Sequence, residues 1–132
     1  MTERAHPMAL LAALLLAVAA TAHAQVPYIS GGVGTDERAE LAAKEKEYNL
    51  KIVTAETSGD FLGEVQVVIE SARKQPILEA AMDGPIMLVK LPPGTYTIKA
   101  TSGRDQVTQT VSVPAQGLRE VNLRWSTSRK PQ

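Results

Sequence analysis

The chain has 132 residues, fourteen basic and fourteen acidic side chains, no cysteine, and two histidines, His6 and His23. That length bounds the fold to one small domain. Zero net charge supplies no electrostatic drive toward nucleic acid, and the missing cysteines exclude disulfides, thiol nucleophiles and thiolate metal sites.

Met8 to Ala20 is an unbroken apolar run, MALLAALLLAVAA. It falls short of the roughly 20 residues a helix needs to span a bilayer, and it fits the apolar core of an export signal. Arg4 and the α-amino group make its start weakly positive, partly offset by Glu3. Ala22-His23-Ala24 places small residues where a signal peptidase reads. Residues 1–24 are therefore expected to be a signal peptide cleaved after Ala24. The mature chain would have no membrane span and would reach the periplasm or be secreted. A bacterial lipid anchor would need a cysteine at the cleavage site. Removing 24 residues from 132 leaves 108, and both histidines leave with them. Glu3 and Arg4 leave together, so the charge stays balanced. Stability then rests on a hydrophobic core alone, which is feasible at this size without being generous.

Residues 25–35, QVPYISGGVGT, read as a flexible or extended Gly-rich lead-in. Residues 36–47 hold good helix formers, with Thr35 as the expected cap and Asp36 and Glu37 placed where the helix dipole favours negative charge. Glu40 and Lys44 are an i,i+4 pair in the favoured order. The apolar content is slight, Leu41 with three alanines, and predicts a short helix docked lightly on something else.

From Tyr48 the period becomes two. Leu50 and Ile52, then Val65, Val67 and Ile69, then Tyr96, Ile98 and Ala100 alternate with polar residues. Val107, Val111 and Val113 share one face, and Val121, Leu123 and Trp125 share another. This is the pattern of half-buried strands. Turns built on Gly and Pro separate the runs: Ser58-Gly59-Asp60, Asp83-Gly84-Pro85, Pro92-Pro93-Gly94, Ser102-Gly103-Arg104 and Pro114 to Gly117. Ile77 to Met82 reads as a strand, although Ala80 and Ala81 suit a helix equally. The count over residues 48–125 is seven strands at a spacing of roughly 11 residues, which predicts an all-β, antiparallel, Ig-like or prealbumin-like β-sandwich. The inner faces would carry Leu50, Ile52, Val65, Val67, Ile69 and Leu78. Leu91, Tyr96, Ile98, Val111, Val113, Val121, Leu123 and Trp125 would complete them. Residues 126–132 are polar and expected to be a disordered tail.

Ile86-Met87-Leu88-Val89 breaks the alternation by being apolar on both faces. A central strand covered on both sides reads this way, with the short helix as the cover. An exposed patch for a partner reads this way too.

Leu91-Pro92-Pro93-Gly94-Thr95-Tyr96-Thr97-Ile98 resembles the L-P-P-G-x-Y segment of carboxypeptidase regulatory-like domains, which are transthyretin-like β-sandwiches. Ser58-Gly59, Leu62, Val65 and Val67 are similar to the same family's opening strand. The resemblance spans Tyr48 to Trp125, and the lead-in and helix resemble small exported bacterial proteins of that type. It implies an accessory module without catalytic residues. Transthyretin-like hydrolases use histidines and a C-terminal Tyr-Arg-Gly-Ser motif, and the mature chain would have neither.

Without His or Cys the common nucleophile–base pairs are absent. Ser71-Ala72-Arg73-Lys74 matches S-x-x-K but lacks its companion motifs and sits between strands, so a solvated turn is expected. Gly32-Val33-Gly34 begins a G-x-G pattern without the third glycine or a preceding strand, and the adjacent carboxylates of Asp36 and Glu37 would repel phosphate. The loop carboxylates Asp60, Glu64, Asp83 and Asp105 offer one ligand each, whereas calcium needs 6–8 converging oxygens. Arg119, Arg124, Arg129 and Lys130 make the C-terminal end locally basic.

No catalytic, metal or cofactor-binding residue is therefore assigned. The expected function is a non-enzymatic accessory or protein-interaction module working with a periplasmic or cell-envelope protein. The candidate interaction surface is Ile86, Met87, Leu88 and Val89, with the rings of Phe61 and Tyr28. The alternative is a module for glycan or cell-wall polymer, which needs an exposed Phe61 or Tyr28.

Overall fold

The computed structural model describes residues 25–56 and 64–125. The expected export signal, residues 57–63 with Asp60 and Phe61, and the expected tail lie outside them. Eight strands and one helix follow in order: β1 (Tyr28–Gly31), α1 (Thr35–Lys44) running into a 3-10 turn (Glu45–Glu47), β2 (Leu50–Glu56), β3 (Val65–Glu70), β4 (Pro76–Met82), β5 (Ile86–Val89), β6 (Gly94–Ser102), β7 (Asp105–Val113) and β8 (Arg119–Trp125).

The strands form two four-stranded sheets, ordered β1-β5-β2-β8 and β4-β3-β6-β7. The all-β sandwich expectation holds at this level. Two details differ. The lead-in supplies an eighth strand, β1, pairing antiparallel with β5 through Tyr28↔Val89 and Ile29↔Leu88. Four residues ending in glycine carry too little alternation to be read as a strand, and here the partner strand decides. The sandwich is also not wholly antiparallel. β2 and β8 run parallel from Leu50↔Arg119 to Glu56↔Trp125. A period of two reports which face a side chain takes and is silent on strand direction.

All fourteen side chains assigned to the inner faces are buried, including Leu50, Ile52, Ile69 and Ile98 at 0% exposure. Each such burial contributes about 1.5–3 kcal/mol over the exposed state. Ile77 to Met82 is strand, so β3 pairing wins over the helix-forming alanines. Trp125 closes the far end of β8, its indole Nε1 donating to the Asp105 carbonyl at 3.0 Å.

The helix begins one residue earlier than expected and is capped differently. Gly34 is the N-cap and Thr35 is the first helical residue, with no side-chain cap bond. Glu37 in the first turn reaches back instead: its Oε1 accepts from the backbone amides of Gly32 at 2.8 Å and Val33 at 3.1 Å. These bonds satisfy two backbone donors of the lead-in just ahead of the helix and hold the Glu37 carboxyl below its ordinary range, the Val33 amide contributing most. Gly32 has a φ of +98°, and a Cβ there would meet the Ile86 side chain at 3.0 Å. Gly84 faces a tighter limit, since its Cβ would stand 2.5 Å from the Gly31 carbonyl.

Candidate functional site

The apolar run of β5 is not a surface. The strand lies between β1 and β2, and Met87, Leu88 and Val89 are each 0% exposed. Met87 and Val89 belong to the main core. Leu88 takes the opposite face, where Ile29 and Lys51 are its register partners. The helix covers that face. A Cβ on Gly31 would lie 3.8 Å from Leu41 Cδ1, and Glu45 holds Lys51 in a 2.7 Å ion pair. Leu41 is accordingly the one buried residue of α1. Ile86 is half-buried against Gly32. The interaction surface expected at Ile86 to Val89 is thus inaccessible at Met87, Leu88 and Val89, which are paired on both edges and packed on both faces, and only Ile86 keeps partial exposure. Tyr28 is 36% exposed, and Phe61 lies outside the described residues.

The remaining motifs resolve into local structure. Ser71 to Gln75 is the β3–β4 hairpin turn, with Ser71 N bonded to Gln75 O and Lys74 N to Ser71 O. Ser71 Oγ accepts from the Arg73 and Gln75 amides, and Lys74 adopts a φ of +66°. Its Ser and Lys thus shape a turn. In the G-x-G segment, the Glu37 carboxylate already occupies the amides that a phosphate would use. Glu64, Asp83 and Asp105 are exposed at one end of the sheet containing β3, β4, β6 and β7. Among the described residues no group of three acidic side chains comes close enough to hold a metal ion. Asp60, Arg129 and Lys130 lie outside them, while Arg119 and Arg124 are exposed on β8.

The opposite end of the sandwich carries a groove of about 660 Å³. The Pro92-Pro93 turn, the β7–β8 loop at Ala115 to Gly117, and Val26-Pro27 form its walls. Tyr48 and Asn49 contribute between them, and Lys46 and Lys90 also line it. No carboxylate is among these lining residues. A smaller hollow of about 520 Å³ adjoins it across Lys46, Tyr48 and Gly117. The one carboxylate lining that hollow, Glu45, is the one paired with Lys51.

The groove has a rigid frame. Asn49 acts as an extra rung of sheet: its Nδ2 donates to Leu91 O at 2.6 Å, and its Oδ1 accepts from Leu91 N at 2.8 Å. Lys90 N donates to Pro27 O, which ties the lead-in to the same wall. Tyr96, buried at the start of β6, donates its hydroxyl to Pro92 O at 2.6 Å and so pins the double-proline turn from beneath. Burial pushes the Tyr96 phenol up.

Sequence reasoning missed Lys46, Tyr48 and Lys90. They belong to three different segments and show no common period. The one legible cue was the double proline, an exposed rigid turn beside a buried tyrosine.

No protein-family model matches this chain, and no curated protein matches it.

Proposed function

We propose that this chain is an exported, non-enzymatic interaction module that holds an extended acidic segment of a cell-envelope protein in the groove beside Pro92-Pro93. The observation that carries this reading is the lining of that groove: two lysines, a tyrosine and three prolines on a hydrogen-bonded frame, with no carboxylate. Proline and tyrosine give rigid apolar contact at little entropic cost, and lysines select anionic partners. The likeness of the Leu91 to Ile98 segment to carboxypeptidase regulatory-like domains supports an accessory role, and the absence of His and Cys after Ala24 supports a non-catalytic one. Export rests on the apolar run of residues 8–20 and the Ala22-His23-Ala24 site.

The test uses tagged full-length protein expressed in its native host. Mass determination of the recovered protein should find Gln25 at the N-terminus. Wild type should recover a discrete envelope protein, and the Lys46→Glu, Lys90→Glu double variant should lose it while keeping the wild-type circular dichroism. Equal recovery by both proteins overturns the groove reading. Retention of cell-wall polymer in place of a protein favours the glycan alternative, to which the exposed Tyr28 would contribute.

A further inference from the structure

Each of the two sheets ends in two outer strands, and three of these four edges are guarded. β1 has four residues and follows Pro27. β4 opens on Pro76 beside a register shift at Ile69/Glu70. Side chains from the lead-in also cap it, Gln25 Oε1 accepting from Glu79 N at 2.8 Å and Ser30 Oγ from Asp83 N just beyond the strand at 2.9 Å. β8 places Arg119, Glu120 and Arg124 along its length. Short strands, prolines, bulges and edge charges are the usual protections against strand addition.

β7 lacks most of them, its one charge being Asp105 at its first residue. It runs nine residues, Asp105 to Val113, in unbroken register with β6. From Gln106 to Val113 it carries no charge, no proline and no glycine. Among the described residues no strand pairs with its outer edge, and the Trp125 indole on β8 bonds its backbone at the first residue, through the Asp105 carbonyl. Its sequence is also symmetric about Gln109: Val107-Thr108-Gln109-Thr110-Val111 reads the same in both directions.

We infer that β7 pairs antiparallel with β7 of a second copy of this chain, across a two-fold axis at Gln109, joining two four-stranded sheets into one of eight strands. A two-fold contact must be self-complementary, and this register makes it so. Val107 meets Val111 of the second copy on the inner face, where Val107 is only half-buried in the single chain. Thr108 meets Thr110 on the outer face, and the two Gln109 amides face each other at the axis. Like β-branched pairs directly opposite one another stabilise a sheet. Asp105 falls opposite Val113, so no like charges are opposed. This pairing lies on a strand that does not line the groove beside Pro92-Pro93 and does not depend on that reading.

The chain has no cysteine, so a single introduced thiol is diagnostic. Residues facing each other across an antiparallel pair have Cα atoms about 4.5–5.5 Å apart, within disulfide range. Gln109→Cys should oxidise to a covalent dimer rapidly and near completion, while Glu40→Cys, exposed on α1, should remain mostly uncrosslinked under the same conditions. Sedimentation of the wild type should give twice the monomer mass, and Gln109→Lys, a charged edge residue at an exposed position, should halve it with circular dichroism unchanged. A monomeric wild type at millimolar concentration overturns the pairing. So does a dimer that Gln109→Lys leaves intact, or equal crosslinking of the two cysteine variants.

Discussion

Tyr96 and Glu37 show how single side chains hold the turns of this molecule. The Tyr96 hydroxyl is buried and bonded to Pro92 O, so Tyr96→Phe removes one hydrogen bond and keeps the ring. The expected cost is about 0.5–1.5 kcal/mol, and each kcal/mol lowers the melting temperature of a domain this size by about 4–8 °C. The sign of its pH dependence follows from the raised phenol. Its contribution is complete below the unfolded tyrosine range near roughly 10 and is lost as pH rises through the higher folded value. Thermal melts should therefore show an alkaline loss that Tyr96→Phe diminishes. Glu37 has the opposite sign. Its folded carboxyl titrates low, so its contribution is present above the unfolded range and lost as pH falls through the folded value. The Gly32 and Val33 amide shifts should titrate with a midpoint below the ordinary glutamate range, and Glu37→Gln should abolish that transition. Neither partner was legible in sequence. Tyr96 could be assigned to the core by its period, but its bond to Pro92 depends on how the turn folds back, and Thr35 rather than Glu37 was the expected cap.

Elements differ in how firmly they are held. Asn49 fastens β2 to the groove wall through two bonds to Leu91. Asn49→Ala leaves the Leu91 amide and carbonyl part-buried without their partners, at an expected cost of about 1–3 kcal/mol, measurable by urea denaturation. The helix is held by one buried side chain, Leu41, with the ion pair of Glu45 and Lys51 adding little at that exposure. Leu41→Ala should therefore release α1 before the sandwich. Amide exchange should accelerate across residues 37–44 while β3 and β6 keep their protection, and uniform acceleration would mean that the helix is integral to the fold. The light docking was readable from a helix with one leucine and three alanines. Its target was not settled by sequence, because a strand apolar on both faces reads equally as twice covered or as an exposed patch, and only the fold places Leu88 in the buried interior.

At the scale of the whole molecule the fold is closed by two segments far apart in the chain. β2 and β8 pair in parallel although nearly seventy residues separate them, and β8 brings Val121, Leu123 and Trp125 into the core. A chain ending at Leu118 should therefore lack any cooperative unfolding transition by circular dichroism, because it loses these three side chains and leaves one edge of β2 unpaired. Such long-range pairing also places the domain among slow folders, on the order of milliseconds to seconds, and the emission of the single tryptophan, bonded to the Asp105 carbonyl, should report the final closure.

The sequence by itself determined the class of fold, the identity of the inner faces and the lack of any cysteine. Alternation is a local property, and composition needs no structure: every side chain assigned to the inner faces is buried, and a chain without cysteine forms no disulfide. Tertiary structure alone decided the rest. Strand direction, the eighth strand from a glycine-bearing lead-in, the burial of Met87 to Val89 and the meeting of Lys46, Tyr48 and Lys90 all depend on which segments become neighbours. Pairing between segments tens of residues apart is a property of the folded chain, and no window of sequence contains both partners.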